Sequence, residues 1–380
     1  MKNEKTLYYY LSRYRTEIMG VAILWVVWFH SSVKFDFFEY PILNEAFAFI
    51  KKMGYGGVDI FLLVSGMGIY NSLQKHNLSD YIRNRVKRIA PTWWVYMIFW
   101  FFLAAVVFEK SIGKTEVLGF ATFTGYWLDM KNQANWYVYA IMLFYLISPV
   151  ICSIIDESKN KNLTCLGLMM LAFVVSLSFV GSKKLIAFSR LIVYIFGMYV
   201  SASLKDFKMN RKKWLITCAC FFAGIFVMIM VYMHLKKYSW YGPWWYPFVI
   251  IAPSMSLLLA KLFDLTGKAL KPVLKVLKLL GKNSFEILLV SDYFFEIFKK
   301  LKIVFVSERF TAVLVVIVSL IVGLLFHHLT DFVVKIFSRL FALAKSKLGE
   351  KLPFINENCE STFEEEKHEE AMAVMLPTEE

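Results

Sequence analysis

Residues 214–233 read WLITCACFFAGIFVMIMVYM, twenty residues without a charge, bracketed by Arg211, Lys212 and Lys213 before them and by His234, Lys236 and Lys237 after them. A helix of that length rises about 30 Å, the thickness of a bilayer's hydrocarbon core, and satisfies its own backbone hydrogen bonds there. Working outward in both directions, the same pattern recurs. Apolar runs are expected to span at about 18–33, 56–73, 90–108, 136–155, 163–180, 186–203, 245–262, 281–298 and 310–328. With 214–233 they predict an all-α, polytopic membrane protein of about ten transmembrane helices around a central cavity. The stretch 117–128 is aromatic but short and broken by Gly and Thr, and reads as a re-entrant or interfacial piece of a loop.

Composition agrees. The 380 residues are 58% hydrophobic and 19% charged with a mean hydropathy of +0.54, outside the range of soluble domains. Five cysteines without metal spacing exclude a disulfide scaffold and leave no metal site to expect. The net charge of +14 is dispersed in short clusters between apolar runs, which signals topology rather than a nucleic-acid groove. Lys and Arg number 26 in the connections that include both termini and 14 in the alternate ones. Both termini of a multi-pass cell-membrane protein are therefore expected in the cytoplasm. Three regions follow: a membrane-embedded domain over 1–330, an amphipathic helix at the cytoplasmic interface over 331–349, and an acidic tail over 350–380. The tail carries ten Glu against two Lys and is expected to be disordered.

An ionisable side chain inside a span costs several kcal/mol, so each one is a functional candidate. His30, Asp59, Arg190, Glu286, Asp292 and Glu296 survive that filter. Counting from the expected span ends, His30, Asp59 and Arg190 fall at one depth near the outer boundary, as a base, an orienting carboxylate and a cation. A packed histidine and a plain ion pair are the bland alternatives. Glu286 and Glu296 suit a wetted or helix-contacting face, and the adjacent His327 and His328 an interfacial feature. Arg83, Arg85 and Arg88 precede Pro91 in a basic connection that topology alone requires, yet guanidinium groups there also suit a phosphorylated ligand. Trp136, Tyr137 and Tyr139, and the cluster Trp240, Tyr241, Trp244, Trp245 and Tyr246, read first as interfacial belts and second as platforms for sugar rings.

The order of these pieces resembles acyltransferase family 3. The resemblance is carried by AILWVVWFH ending at His30, GGVDIFLLVSG over 56–66, YIRNRVKRIAP ending at Pro91, NWYVYAIMLFYLISP ending at Pro149, RLIVYIFG over 190–197 and GKNSFEILL from Gly281. It runs from about 13 to 330. The family's members are membrane-embedded O-acyltransferases, many acting on cell-surface or exported carbohydrates. The resemblance implies acetyl transfer from acetyl-CoA, a co-substrate rather than a resident cofactor, to a hydroxyl of an envelope or exported glycan acceptor. Its histidine maps onto His30, its Asp and Ser-Gly marks onto Asp59, Ser65 and Gly66, and its basic segment onto Arg83, Arg85 and Arg88.

Three positions depart from the pattern: Met19 stands where an arginine is usual, Ile141 where a glutamate is, and Ser291 where a histidine often is. Arg15, one helical turn before Met19, lies on the same face and can replace the missing cation. The expected scheme has Arg83, Arg85, Arg88 and Ser65 hold the donor. His30 acts as base, Asp59 orients it, and Arg190 or Arg15 stabilises the oxyanion. Expected partners are the lipid bilayer, acetyl-CoA and the glycan, with a homodimer admissible and no nucleic acid. The competing classes are a transporter or flippase of a charged or lipid-linked solute, and a catalytically silent homologue.

Overall fold

The computed structural model describes residues 4–33, 39–131, 135–235, 242–267 and 269–351, without the side chains of 292, 293, 337, 338 and 340–351. Trp240, Tyr241, the Asp292 side chain and the acidic tail beyond 351 lie outside the described residues. The chain divides into two compact units, residues 1–327 and 328–380, and the first holds the features below.

The regular structure among the described residues is helical, apart from one antiparallel bridge between Thr6 and Lys208. The helices are α1 Leu7–Arg13, α2 Arg15–His30, α3 Pro41–Lys52, α4 Gly57–Leu73, α5 Leu78–Val106, α6 Lys114–Ala121, α7 Trp136–Asp156 and α8 Lys161–Leu177. They continue with α9 Leu185–Phe188, α10 Leu191–Ser203, α11 Arg211–His234, α12 Phe248–Thr266, α13 Lys271–Lys282, α14 Ser284–Leu301 and α15 Glu308–Lys351. Asparagine side chains cap three of them. Asn77, Asn160 and Asn210 each accept a backbone N–H in the first turn of α5, α8 and α11, satisfying donors that helix starts leave orphaned.

Each of the ten expected segments is helical, but six helical stretches among the described residues are long and apolar enough to cross a bilayer. These are Leu78–Val106, Trp136–Asp156, Leu185–Ser203, Arg211–His234, Pro243–Thr266 and Glu308–Ile336. α2, α4 and α8 have 16, 17 and 17 residues, and α14 mixes charges into its 18. Length and composition thus count six, not ten.

Two interfaces depend on missing side chains. A Cβ on Gly66 of α4 would run into the Tyr194 carbonyl of α10, and one on Gly197 of α10 into the Leu63 carbonyl of α4. α2 and α13 meet in the same reciprocal way, Gly20 against the Leu277 carbonyl and Gly281 against that of Thr16. Small residues let helix backbones touch, and dispersion contacts then hold them where lipid offers no hydrophobic drive. The second interface corrects the sequence reading, which treated 261–280 as a connection. Lysines spaced through Lys271–Lys282 lowered the hydropathy and hid an amphipathic helix whose Leu277 and Leu280 are buried.

The expected central cavity takes a different form. A groove of about 700 Å³, lined by apolar side chains including Leu24, Trp28, Phe221, Ile251 and Val313, runs between α2, α11, α12 and α15. The polar hollow is a narrow recess of about 60 Å³ between α2, α4, α5, α7 and the α13–α14 turn.

Candidate active site

Asp59 sits in the first turn of α4, where the helix N-terminus favours a carboxylate. Its Oδ2 lies 3.3 Å from Nε of Arg190, and both side chains are almost fully buried. Arg190 caps α10 and donates from Nη1 to the Ile186 carbonyl at 2.7 Å. Its guanidinium is boxed by rings, with Trp245 at 4.4 Å, Trp136 at 4.9 Å and Tyr55 at 5.8 Å from their centroids. Tyr55 is fixed in turn by donating its hydroxyl to the Trp244 carbonyl at 3.0 Å. Desolvating two charges is costly, and here the cost is offset by mutual attraction and by aromatic faces turned to the cation.

His30 is elsewhere. It ends α2 at an exposed position, edge-on to Phe29 at 4.8 Å. Gly54 packs against Trp25 and Phe29, and Gly57 against Ala22 and Val26. That register puts Asp59 near the level of Ala22, about 12 Å below His30 along α2 at 1.5 Å per residue. The common depth expected from the sequence fails because the inward chain does not begin at 56. The 3-10 turn Met53–Gly56 is already buried against α2, so Asp59 enters deeper than its distance from the apolar boundary suggests. Residues just beyond His30 are anchored by Lys51, whose Nζ donates to the carbonyls of Ser31 and Val33 at 2.6 and 2.7 Å.

Below the ion pair, Ser65, Arg88, Tyr137, Tyr145 and Lys282 line the recess together with Met19. The three arginines of α5 part company. Arg85 and Arg88 are three residues apart and share a face, whereas Arg83 points away from it. Arg83 instead pairs with Asp80 at 2.8 Å. Arg85 donates to the Ser72 hydroxyl at 3.2 Å and lies over the rings of Tyr81 and Tyr145. Arg88 alone of the three reaches the recess. Arg15 approaches from α2, its Nη1 against Gly68. Burial and then the neighbouring Arg88 hold Arg15 below the ordinary arginine pKa, so these cations share one neighbourhood.

The recess and the ion pair draw on neighbouring residues of α4 and α7. Tyr137 lines the recess and packs on Phe61 at 6.4 Å between ring centroids, while Trp136, the preceding residue, faces Arg190. Tyr139 is fully buried between Trp93, Phe120 and Tyr126, so its ring offers no face to a sugar. The expected re-entrant piece supplies that wall. Phe120 of α6 stacks on Trp93, whose Nε1 donates to the Phe120 carbonyl at 2.9 Å.

Other candidates resolve into structure. Glu286 Oε1 lies 2.9 Å from His327 Nδ1, a hydrogen bond joining α14 to α15, and Glu296 is exposed. Of the departures, Met19 lines the recess and Ile141 and Ser291 are core. No set of three metal-ligating side chains occurs among the described residues. Sequence reasoning missed Lys282, Tyr145 and the role of Trp245. The lysine period 271, 275, 278, 282 was the signal available for the first.

An all-helical membrane protein with a buried ion pair above a cation-lined recess is the class these features define. The acyltransferase domain family matches residues 20–328, most of the chain, and the protein belongs to that family of membrane acyltransferases. No curated protein and no solved structure matches it.

Proposed function

We propose that the protein moves an acetyl group from cytoplasmic acetyl-CoA to a hydroxyl of a cell-envelope or exported glycan, with both termini in the cytoplasm. The observation that carries this reading is a recess that brings Arg88, Lys282 and Ser65 together with Phe61 and Tyr137. Tyr137 and Phe61 stand one and two residues along the chain from Trp136 and Asp59 of the buried ion-pair site.

In this scheme Arg88 and Ser65, with Arg85 beside them, hold the donor's phosphates, and the slender pantetheine arm rises past Tyr137. His30, open on the outer side, takes the proton from the attacking glycan hydroxyl, a role worth about 10²–10⁴-fold. The hydroxyl oxygen bonds to the acetyl carbon, the C–S bond breaks, and the proton held by His30 passes to the departing coenzyme A thiolate, while the buried Asp59–Arg190 pair braces the helices around the path. Trp136 and Tyr137 turn aside to let the thioester pass, and Trp136 then bears on the sugar ring.

A second reading, a silent homologue, is favoured by Met19 in the recess and by Asp59 engaging Arg190 instead of His30. Thiol release from acetyl-CoA by the purified protein, with and without candidate glycans, separates the two. Glycan-dependent release that His30→Ala abolishes, in a protein that still inserts and folds, supports the transferase. Absence of release with every acceptor supports the silent homologue, and gradient-driven uptake without release would support a transporter.

A further inference from the structure

The recess carries an imbalance of charge. Arg88 and Lys282 line it and Arg15 stands beside Arg88. Among the described residues none of the three has a carboxylate or a hydrogen-bond partner, unlike Arg83 with Asp80 or Arg190 with Asp59. Like charges repel, and holding three of them together without an acid is unfavourable unless an anion joins them.

Lys282 is placed there by construction. Gly281 presses against the Thr16 carbonyl, and the Asn283 side chain donates to the Leu279 carbonyl at 2.8 Å where α13 turns into α14. Lys282 also ends a row. Lys271, Lys275, Lys278 and Lys282 are exposed and fall within about 60° of arc on α13 at 100° per residue. None of the four has an acidic partner among the described residues. The row runs about 16 Å at 1.5 Å per residue and ends in the recess, a length that suits an elongated polyanion better than a single phosphate.

We infer that Lys282, with Arg88 and Arg15, forms a binding site for the phosphates of an extended, pyrophosphate-bearing ligand, and that the lysine row of α13 guides that ligand in. The cation that Met19 does not supply is thereby provided from two other helices. Naming a nucleotide-linked thioester as the ligand rests on the acyltransferase reading, whereas the anion site itself rests on the convergence of cations.

The test uses the full-length protein in phosphatidylcholine nanodiscs, with coenzyme A titrated calorimetrically. Lys282→Gln weakens binding about tenfold, the scale of one charge-assisted hydrogen bond, while Lys282→Arg binds within about twofold of the native protein. An unchanged melting temperature in Lys282→Gln separates lost binding from lost fold. Coenzyme A affinity unaltered in Lys282→Gln overturns the assignment. If the native protein binds no coenzyme A, inorganic pyrophosphate is titrated instead. Lys282-dependent binding of pyrophosphate upholds the site and fails only the donor reading, and no binding of either overturns the site. Loss confined to nanodiscs containing phosphatidylglycerol would reassign Lys282 to lipid headgroups and also overturn it.

Discussion

Arg190 and Arg88 are both arginines beside membrane-spanning helices, and the protein treats them oppositely. Arg190 is buried, paired with Asp59, bonded to a carbonyl and covered by three aromatic rings. Arg88 is exposed into the recess with cations for neighbours and no acid among the described residues. A charge paired within the protein shapes and stiffens the bundle. An uncompensated one is compensated when a ligand arrives. Residue type alone does not separate these roles; the inventory of partners does.

The largest effect that can break the comparison is on Arg190. Asp59→Asn leaves a buried guanidinium unpaired and destabilises the protein by about 3–5 kcal/mol, read as a fall in melting temperature in detergent. Replacing both partners, as Asp59→Asn with Arg190→Met, restores much of that stability, since no lone charge is left buried. Next comes Arg88→Ala, which lowers acetyl-CoA affinity about tenfold with no change in melting temperature, checked by titration and thermal unfolding side by side. A smaller effect belongs to Glu286→Gln, which weakens the bond to His327 and costs about 1 kcal/mol of stability. The smallest is Arg83→Ala. Its pair with Asp80 is exposed and worth about 0–1 kcal/mol, so neither stability nor donor binding changes measurably. Equal losses of donor binding in the Arg83 and Arg88 variants would erase the distinction.

How far the sequence revealed this arrangement differs residue by residue. The long apolar helices were legible because uncharged runs such as 214–233 have few alternatives. Asp59 and Arg190 were legible as charges that need partners, and they found each other. The depth of His30 relative to Asp59 was not, because a four-residue 3-10 turn, two of its residues glycine, carried the chain inward before the apolar run began. Lys282 was hidden for another reason. A lysine at the end of an amphipathic helix looks like a topology signal until the glycine before it is seen to lock that helix onto α2. The sorting of Arg83 from Arg88 follows from helical phase, which the sequence contains, but which face looks into the recess is set by packing.

The most direct test of the recess as the donor's path is photocrosslinking with a light-activated acyl-CoA, mapped by peptide mass spectrometry. The account predicts labelling of α4 around Ser65 and of α7 around Tyr137, displaced by excess acetyl-CoA and weakened in Arg88→Ala. Label confined to the exposed side of α5 near Arg83, or to the apolar groove beside Trp28, would contradict it.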